Sequence, residues 1–171
     1  ALETSKNLLN YQDVDNTSTR IADTLARARD MQKSVVNESR VLRSSTEAIE
    51  GERLVLSVLC EQLGAALTLS GDLEEAQTCL NDAINTNPHN TAALYSMAEL
   101  FKIKGDDEKV ESLCTKIISA DPAHEAATVM LSDSLFAKHP DSDEAVKPLQ
   151  SLLEALPNNY RALAKMIQLL R

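Results

Sequence analysis

Histidines and paired acidic residues are the side chains of this sequence that could do acid–base chemistry or bind a metal ion. His89, His124 and His139 fall in predicted turns between helices, and none has a second His or Cys at the spacing of a zinc ligand. Glu74 and Glu75 stand in the first turn of a predicted helix, where acidic side chains complement the helix dipole. Phosphate-binding glycine loops and nucleophile motifs are also absent from the sequence. We therefore expect no catalytic residue, no metal ligand and no cofactor, and a protein that is not an enzyme.

The cysteines offer no redox motif. Cys60, Cys79 and Cys114 are an odd number, and no two of them form a C-x-x-C pair. Cys60 and Cys114 occupy apolar positions of the repeat described below, and Cys79 is one residue away from such a position. We expect reduced and mostly buried thiols in a cytosolic type of compartment.

Composition favours a helical, globular protein. Of the 171 residues, 43% are hydrophobic, 25% are charged and only 3% are aromatic, with four Gly and five Pro. The formal net charge of −9 repels phosphate backbones and anionic lipids, so nucleic-acid binding is not expected. No apolar run approaches the roughly 18 residues of a spanning helix, so direct membrane insertion is not expected either.

An internal repeat positions all of these side chains. Residues 57–90 align with residues 91–124 at a spacing of 34, which places Gly71 on Gly105 and brings prolines and apolar residues into register. A period of 34 residues with one helix–turn–helix per repeat is the tetratricopeptide pattern. The sequence therefore predicts an all-α fold, a right-handed tetratricopeptide α-solenoid of antiparallel helix pairs.

The repeat register sets the predicted domain boundaries. Upstream of the clear repeats, a short helix over 1–12 and a polar break at 13–16 are predicted, followed by a long helix over 17–43. The apolar stripe expected to face a neighbouring helix is Ile21, Leu25, Ala28, Met31 and Val35. The predicted segments are a degenerate repeat at 1–43, a hinge at 44–52, and tetratricopeptide repeats at 53–90, 91–124, 125–159 and 160–171, the last one truncated.

The clearest first helix is predicted from about residue 52 to residue 69. Gly64 is expected where two helices approach closely, and Gly71 is expected to close the helix in the left-handed conformation. The expected buried side is Leu54, Leu56, Leu59, Cys60, Leu63 and Leu67.

Capping residues and one proline give further local predictions. Asp72 with Glu75, and Asp141 with Glu144, have the spacing of a capping box at the start of a second helix. Pro148 would then lie about two turns inside its helix, where a kink is expected.

The last predicted helix begins at Tyr160 and has no second helix to cover it. Its apolar residues are Leu163, Met166, Ile167 and Leu170. Because solenoids normally end in a polar capping helix, we expect a fragment of a longer protein that is able to dimerise through this uncovered end.

The repeat register also predicts a partner-binding groove along the first helices. Its charge changes from acidic to basic along the chain, which suggests a partner that is acidic at the end near Arg161 and Lys165. Tyr95, Met130 and Phe136 are expected to be exposed there and to contact the partner. The predicted groove residues are Glu61, Gln62, Tyr95, Glu99, Lys102, Met130, Asp133, Phe136, Arg161 and Lys165.

One known tetratricopeptide function is not expected. Co-chaperones of this family bind the C-terminal carboxylate of heat-shock chaperones with Lys, Arg and Asn side chains. The corresponding residues here are Glu61, Ala65, Ser96, Ala126 and Met130. None of them is a cation, so this carboxylate clamp is absent in the predicted register.

The third and fourth repeats resemble a particular family. The matching residues include the stretch Glu125-Ala126-Ala127-Thr128, Asn159-Tyr160 and Leu169-Leu170-Arg171. Upstream, Ala28-Arg29-Asp30-Met31-Gln32 is similar to the family's long helix before an irregular linker. On these residues the sequence resembles the large tetratricopeptide subunit of the intraflagellar transport A complex.

This resemblance implies a non-enzymatic scaffold in the cytoplasm and at the basal body and cilium or flagellum. Its partners would be other subunits of the A complex, which supports retrograde transport and the entry of membrane-protein cargo. The residues alone indicate only a protein-binding helical repeat. They leave open a generic adaptor of another large assembly, and a repeat domain that regulates an attached enzyme.

Overall fold

The computed structural model describes residues 2–41, 46–140 and 143–170, and their side chains for 19–40, 46–140 and 143–170. These residues form helices and turns, with no β-strand among them, which confirms the all-α prediction. The helices are α1 (Leu2–Val41), α2 (Thr46–Ser70), α3 (Leu73–Thr86), α4 (Thr91–Lys104), α5 (Asp107–Ala120), α6 (Glu125–Lys138), a 3-10 helix (Asp143–Ala145), α7 (Lys147–Ala155) and α8 (Tyr160–Leu169).

The chain divides into two compact units, Ala1–Ser96 and Met97–Arg171, and the boundary falls within α4. In the first unit α2 packs against both α1 and α3. In the second unit α6 packs against α5, α7 and α8. The repeat boundaries predicted from the sequence stay a prediction, while the helix ends within them are now defined.

Two glycines make the sharp turns between α2 and α3 and between α4 and α5. Gly71 has φ of 90° and Gly105 has φ of 75°, a left-handed conformation that glycine adopts without a steric cost. After Gly71, the backbone amide of Asp72 donates to the carbonyl of Leu67 at 3.0 Å, the bond of a Schellman motif. Asp106 makes the same bond after Gly105, also at 3.0 Å. The predicted role of Gly71 is confirmed.

The two aspartates that follow these glycines behave differently. Asp106 caps α5, because its carboxylate accepts from the backbone amide of Lys109 at 3.2 Å. Asp72 makes no such bond to α3, and its carboxylate instead accepts from Ser70 Oγ at 3.3 Å. The capping box predicted for Asp72 and Glu75 is therefore wrong. Asp141, the equivalent residue before α7, lies outside the described residues.

The core of the first unit depends on one glycine in α2. Gly64 lies against Leu80 of α3, and a Cβ atom built on Gly64 would come within 2.5 Å of Leu80 Cγ. Cys60, Leu63 and Leu80 are almost completely buried beside it. The predicted close approach of two helices at Gly64 is confirmed. Leu54, which was predicted to be buried, is 47% exposed.

The helix α1 differs from its prediction in two ways. Its backbone is helical through residues 13–16, so the predicted polar break is wrong. The reason is that residues 1–41 contain neither Gly nor Pro, and polar residues alone do not end a helix. Its buried face is also rotated by one residue. Ala22, Val36 and Ser39 are buried, whereas Met31 is 71% exposed.

Polar contacts explain this rotation of α1. Lys33 Nζ pairs with Asp82 Oδ2 of α3 at 3.0 Å, and Gln32 Nε2 donates to the carbonyl of Glu52 at 3.2 Å. Val36 joins the core cluster of the first unit. The expected apolar stripe therefore packs only in part. Leu25 and Ala28 are half-buried, whereas Ile21, Met31 and Val35 are exposed.

The helix α2 begins earlier than predicted. It starts at Thr46, so the part of the predicted hinge from 46 to 52 is helical, and residues 44 and 45 lie outside the described residues. Within the described ranges α2 is also the one helix long and apolar enough to cross a membrane, which was not expected from the sequence. Because Leu56, Leu63 and Leu67 are buried in the first unit, α2 serves here as a core helix.

The second unit corrects the prediction for Pro148. A 3-10 helix covers Asp143–Ala145, and α7 then begins at Lys147, which places Pro148 in its first turn. The missing N–H of proline costs no hydrogen bond at this position, so the predicted kink is wrong. Leu149 and Leu152 of α7 are fully buried with Ala162 of α8 and form the core there.

Candidate functional site

The histidines are placed at helix ends and not in a metal site. His124 is the N-cap of α6, and its Nδ1 accepts from the backbone amide of Ala127 at 3.2 Å. His139 is the C-cap of the same helix, and His89 lies exposed in the turn after α3. Among the residues whose side chains are described, no group of three His, Cys, Asp or Glu side chains is placed to hold a metal ion.

The thiols are buried and lack the surroundings of a nucleophile. Burial raises the pKa of Cys60 to about 11 and that of Cys114 to about 11. Burial also raises the pKa of Cys79, although Arg29 Nη1 donates to its Sγ at 3.3 Å and opposes the shift. Since the thiolate is the reactive form, these thiols are poor nucleophiles at neutral pH.

Two asparagines link successive first helices. Asn90 Oδ1 accepts from the amide of Ala93 at 3.0 Å and caps α4, while its Nδ2 donates to Ser57 Oγ of α2 at 2.9 Å. In the second unit Asn159 caps α8, and its Nδ2 donates to Glu125 Oε2 of α6 at 2.8 Å. These side chains fix the register between helices one repeat apart, and the sequence analysis assigned them no role.

The predicted groove residues of the first unit are Glu61, Gln62 and Tyr95. Glu61 is only 6% exposed. Its Oε1 accepts from Ser96 Oγ at 3.1 Å and its Oε2 accepts from Gln62 Nε2 at 2.8 Å. The Glu61 carboxylate therefore joins α2 to α4 and is not accessible to a partner. Gln62 is exposed and Tyr95 is half-buried.

The apolar groove residues of the second unit divide in the same way. Met130 is 6% exposed, so the expectation that it is an exposed contact is wrong. Phe136 keeps part of its ring accessible, and Glu99 and Lys102 are exposed.

The two basic groove residues of α8 have acidic neighbours. Lys165 Nζ lies 2.5 Å from Asp133 Oδ1, and Arg161 Nη1 lies 3.3 Å from Glu125 Oε1. Each pair joins α8 to α6. The expected attraction for an acidic partner at this end is therefore reduced, since both cations already have a counter-charge.

A polar network that the sequence analysis missed joins α5 to α6. Glu111 Oε1 accepts from Ser134 Oγ at 2.9 Å and pairs with Lys138 Nζ at 2.8 Å. The hydrogen bond to Glu111 raises the pKa of Lys138. The spacing between Glu111 and its two partners follows no single-helix rule, so only the three-dimensional packing reveals it.

Comparison with known proteins identifies relatives. Residues 125–171 match the family model described as the TT21 fifth ARM repeats domain. The chain is 26% identical over 151 residues to tetratricopeptide repeat protein 21A of Mus musculus. This alignment covers 88% of the chain and 11% of the mouse protein. It is 25% identical over 150 residues to tetratricopeptide repeat protein 21B of Xenopus laevis, again covering 88% of this chain and 11% of the relative.

A solved structure shows the fold. The first TPR of Spaghetti (RPAP3), bound to an HSP90 peptide, superposes with a TM-score of 0.58 at 20% identity, covering 66% of this chain and 89% of that one. The predicted tetratricopeptide α-solenoid class is thereby confirmed. The chain spans about a ninth of the length of the curated relatives it matches. The chain is thus similar over 88% of its length to the tetratricopeptide repeat 21 proteins, which agrees with the resemblance of its third and fourth repeats.

Proposed function

We propose that this chain is part of a protein-interaction scaffold and has no catalytic role of its own. The observation that carries the proposal is the homology to tetratricopeptide repeat 21 proteins over 88% of the chain. The chemistry of the side chains agrees with it. The thiols are buried, His124 is a helix cap, and Glu61 is engaged in hydrogen bonds between helices.

We propose further that the scaffold is a subunit of the intraflagellar transport A complex. The tetratricopeptide repeat 21 proteins are the A-complex subunits that the sequence resembles. In this role the chain supports retrograde transport and cargo entry in cilia or flagella, and it resides in the cytoplasm, at the basal body and in the cilium. Its direct partners are other subunits of the A complex.

The exposed groove residues are the proposed contacts. Gln62, Glu99 and Lys102 are exposed and carry the polar part of the recognition, while Tyr95 and Phe136 supply partly accessible rings. Aromatic side chains supply much of the binding energy at protein interfaces. Glu61, Asp133, Arg161 and Lys165 act indirectly, because their hydrogen bonds and ion pairs join neighbouring first helices.

Affinity purification of the tagged chain from ciliated cells tests this function. We expect other subunits of the A complex among the recovered proteins, and we expect the tagged chain to be located inside cilia. The test variant carries both Tyr95→Ala and Phe136→Ala. Its circular dichroism spectrum should show that it is folded, but it should recover less of those subunits. Recovery of the same unrelated assembly from ciliated and non-ciliated cells would support the generic adaptor instead.

A further inference from the structure

A polar pocket in the first unit lies outside the predicted groove. It is a cavity of about 320 Å³ between α1, α2 and α3. Val36 of α1 and Leu56 of α2, both buried, supply its apolar wall. Three basic side chains and one acidic side chain also line it. They are Lys33 and Arg40 of α1, Arg53 of α2 and Asp82 of α3.

The positive charge of this pocket is only partly neutralised. Lys33 Nζ and Asp82 Oδ2 lie 3.0 Å apart and compensate each other. Arg53 Nη2 donates to the carbonyl of Thr86 at 3.0 Å, and a neutral acceptor leaves the guanidinium charge in place. Arg40 is exposed and has no ion pair with a described residue. Two guanidinium charges therefore remain in a chain whose net charge is −9.

The size and chemistry of the pocket select its ligand. A volume near 300 Å³ is at the lower end for ligand sites, which suits one or two side chains and not a large cofactor. Guanidinium groups bind carboxylates through two parallel hydrogen bonds, with a planar geometry that lysine does not offer. The apolar wall at Val36 and Leu56 can receive the methylene groups of an acidic side chain.

We propose that this pocket, which we call the α1–α3 basic pocket, binds a Glu or Asp carboxylate from an acidic segment of a partner protein. The proposal rests on the proposed role as a protein-interaction scaffold and names the chemistry of one contact. A Glu or Asp side chain is favoured over inorganic phosphate because the apolar wall of Val36 and Leu56 can receive its methylene groups, which inorganic phosphate lacks.

A titration of the whole 171-residue chain with blocked tetraglutamate peptide tests the pocket, with tetraglutamine as the uncharged probe. Backbone amide shifts in two-dimensional NMR are the readout. We expect tetraglutamate to shift the amides around Arg40, Arg53 and Thr86, and tetraglutamine to leave them unchanged. Arg40→Gln should weaken binding about tenfold or more, since a hydrogen bond to a charged group is lost.

The chain offers a matched control on the same helix. Arg27 is exposed on α1 and does not line the pocket, so Arg27→Gln makes the same charge change elsewhere. Equal weakening by Arg27→Gln and Arg40→Gln would overturn the proposal, because binding would then follow net charge alone. Binding of tetraglutamine as tight as that of tetraglutamate would overturn it as well. Preference for a phosphoserine peptide over tetraglutamate would assign the pocket to a phosphorylated partner and reject a carboxylate.

The peptide titration and the affinity purification can fail independently of each other. If A-complex subunits are recovered with the chain while tetraglutamate causes no shift at Arg40 and Arg53, the pocket proposal fails alone. If tetraglutamate binds as described but no A-complex subunit is recovered, the ciliary assignment fails and the carboxylate site stands.

Discussion

Replacement of Gly64 by alanine should destabilise the protein, and the same change at Gly51 should stabilise it. Both glycines lie in α2, so they share one helix and one chemical change. At Gly64 an added Cβ would lie 2.5 Å from Cγ and 2.8 Å from Cδ2 of Leu80, and 3.2 Å from the carbonyl oxygen of Ala76. At Gly51 nothing lies within 4 Å of the added atom.

The magnitudes follow from two opposing effects. Alanine is favoured over glycine inside a helix by about 0.8–1.0 kcal/mol, a gain that both variants share. Gly64→Ala must also displace Leu80, which is fully buried. Overpacking of this kind costs about 1–3 kcal/mol. We therefore expect Gly51→Ala to stabilise by somewhat under 1 kcal/mol and the two variants to differ by about 1–3 kcal/mol.

Urea unfolding followed by circular dichroism measures both free energies. The difference in stability between Gly51→Ala and Gly64→Ala does not depend on the unfolded state, because both variants change glycine to alanine. Equal stability of the two variants would refute the packing of α2 on α3 at Leu80. A stabilised Gly64→Ala would mean that these helices lie further apart than the structure places them.

Three further predictions use other described contacts. Ser57→Ala should cost about 1–3 kcal/mol in urea unfolding, because its buried hydroxyl donates to the carbonyl of Ala83 in α3 and accepts from Asn90, the residue that caps α4. Ser132→Ala, at an equally buried hydroxyl without a partner among the described residues, should cost nothing or stabilise; equal losses would contradict this contrast. Hydrogen bonds from Lys109 lower the pKa of Asp106 in the folded protein below its ordinary value of 3.8. The ionised carboxylate therefore stabilises the folded protein above pH 3.8, and this stabilisation is lost as the pH falls through the pKa of the folded state. The difference in unfolding free energy between wild type and Asp106→Asn should therefore shrink on acidification below about pH 4, and a constant difference would refute the shift. If the chain dimerises through α8, Ile167→Lys, at a residue 56% exposed, should yield a monomer by light scattering, and an unchanged dimer would reject this face.

Helix ends were predictable from the sequence because local chemistry determines them. Gly71 and Gly105 adopt positive φ and form Schellman turns, which any chain with glycine at this position can do without a tertiary partner. Pro88 likewise follows the end of α3, where the residue before it is extended. The 34-residue alignment repeated these local signals, so the helix pairs of the clear repeats could be predicted.

Two local rules compete at Pro148, and nothing in the sequence around it decides between them. Proline interrupts a helix interior but begins a helix readily. The second rule applies here, because the 3-10 helix Asp143–Ala145 takes the first turn and α7 starts only at Lys147.

The packed face of α1 was not predictable because its partners are remote in sequence. Apolar periodicity favoured the stripe that includes Met31 and Val35, which the structure leaves exposed. The face that packs contains Lys33 and Arg29, whose partners Asp82 and Cys79 are 49 and 50 residues away. Hydrophobic patterns score such long side chains as solvent-facing, although their methylene groups pack and their ends bind across an interface.

The charge of a helical-repeat surface has to be counted after its internal pairs are removed. The repeat register placed Glu61 and Lys165 on the correct helices, but it did not show their partners. Glu61 of α2 accepts a hydrogen bond from Ser96 of α4, and Lys165 of α8 pairs with Asp133 of α6. A single-sequence register gives the position of a side chain but not its partner one repeat away. Once these pairs are subtracted, the attraction of the predicted basic end of the groove for an anion is reduced. Arg40, which no repeat alignment singled out, keeps its charge and becomes the stronger candidate for contact with an acidic partner.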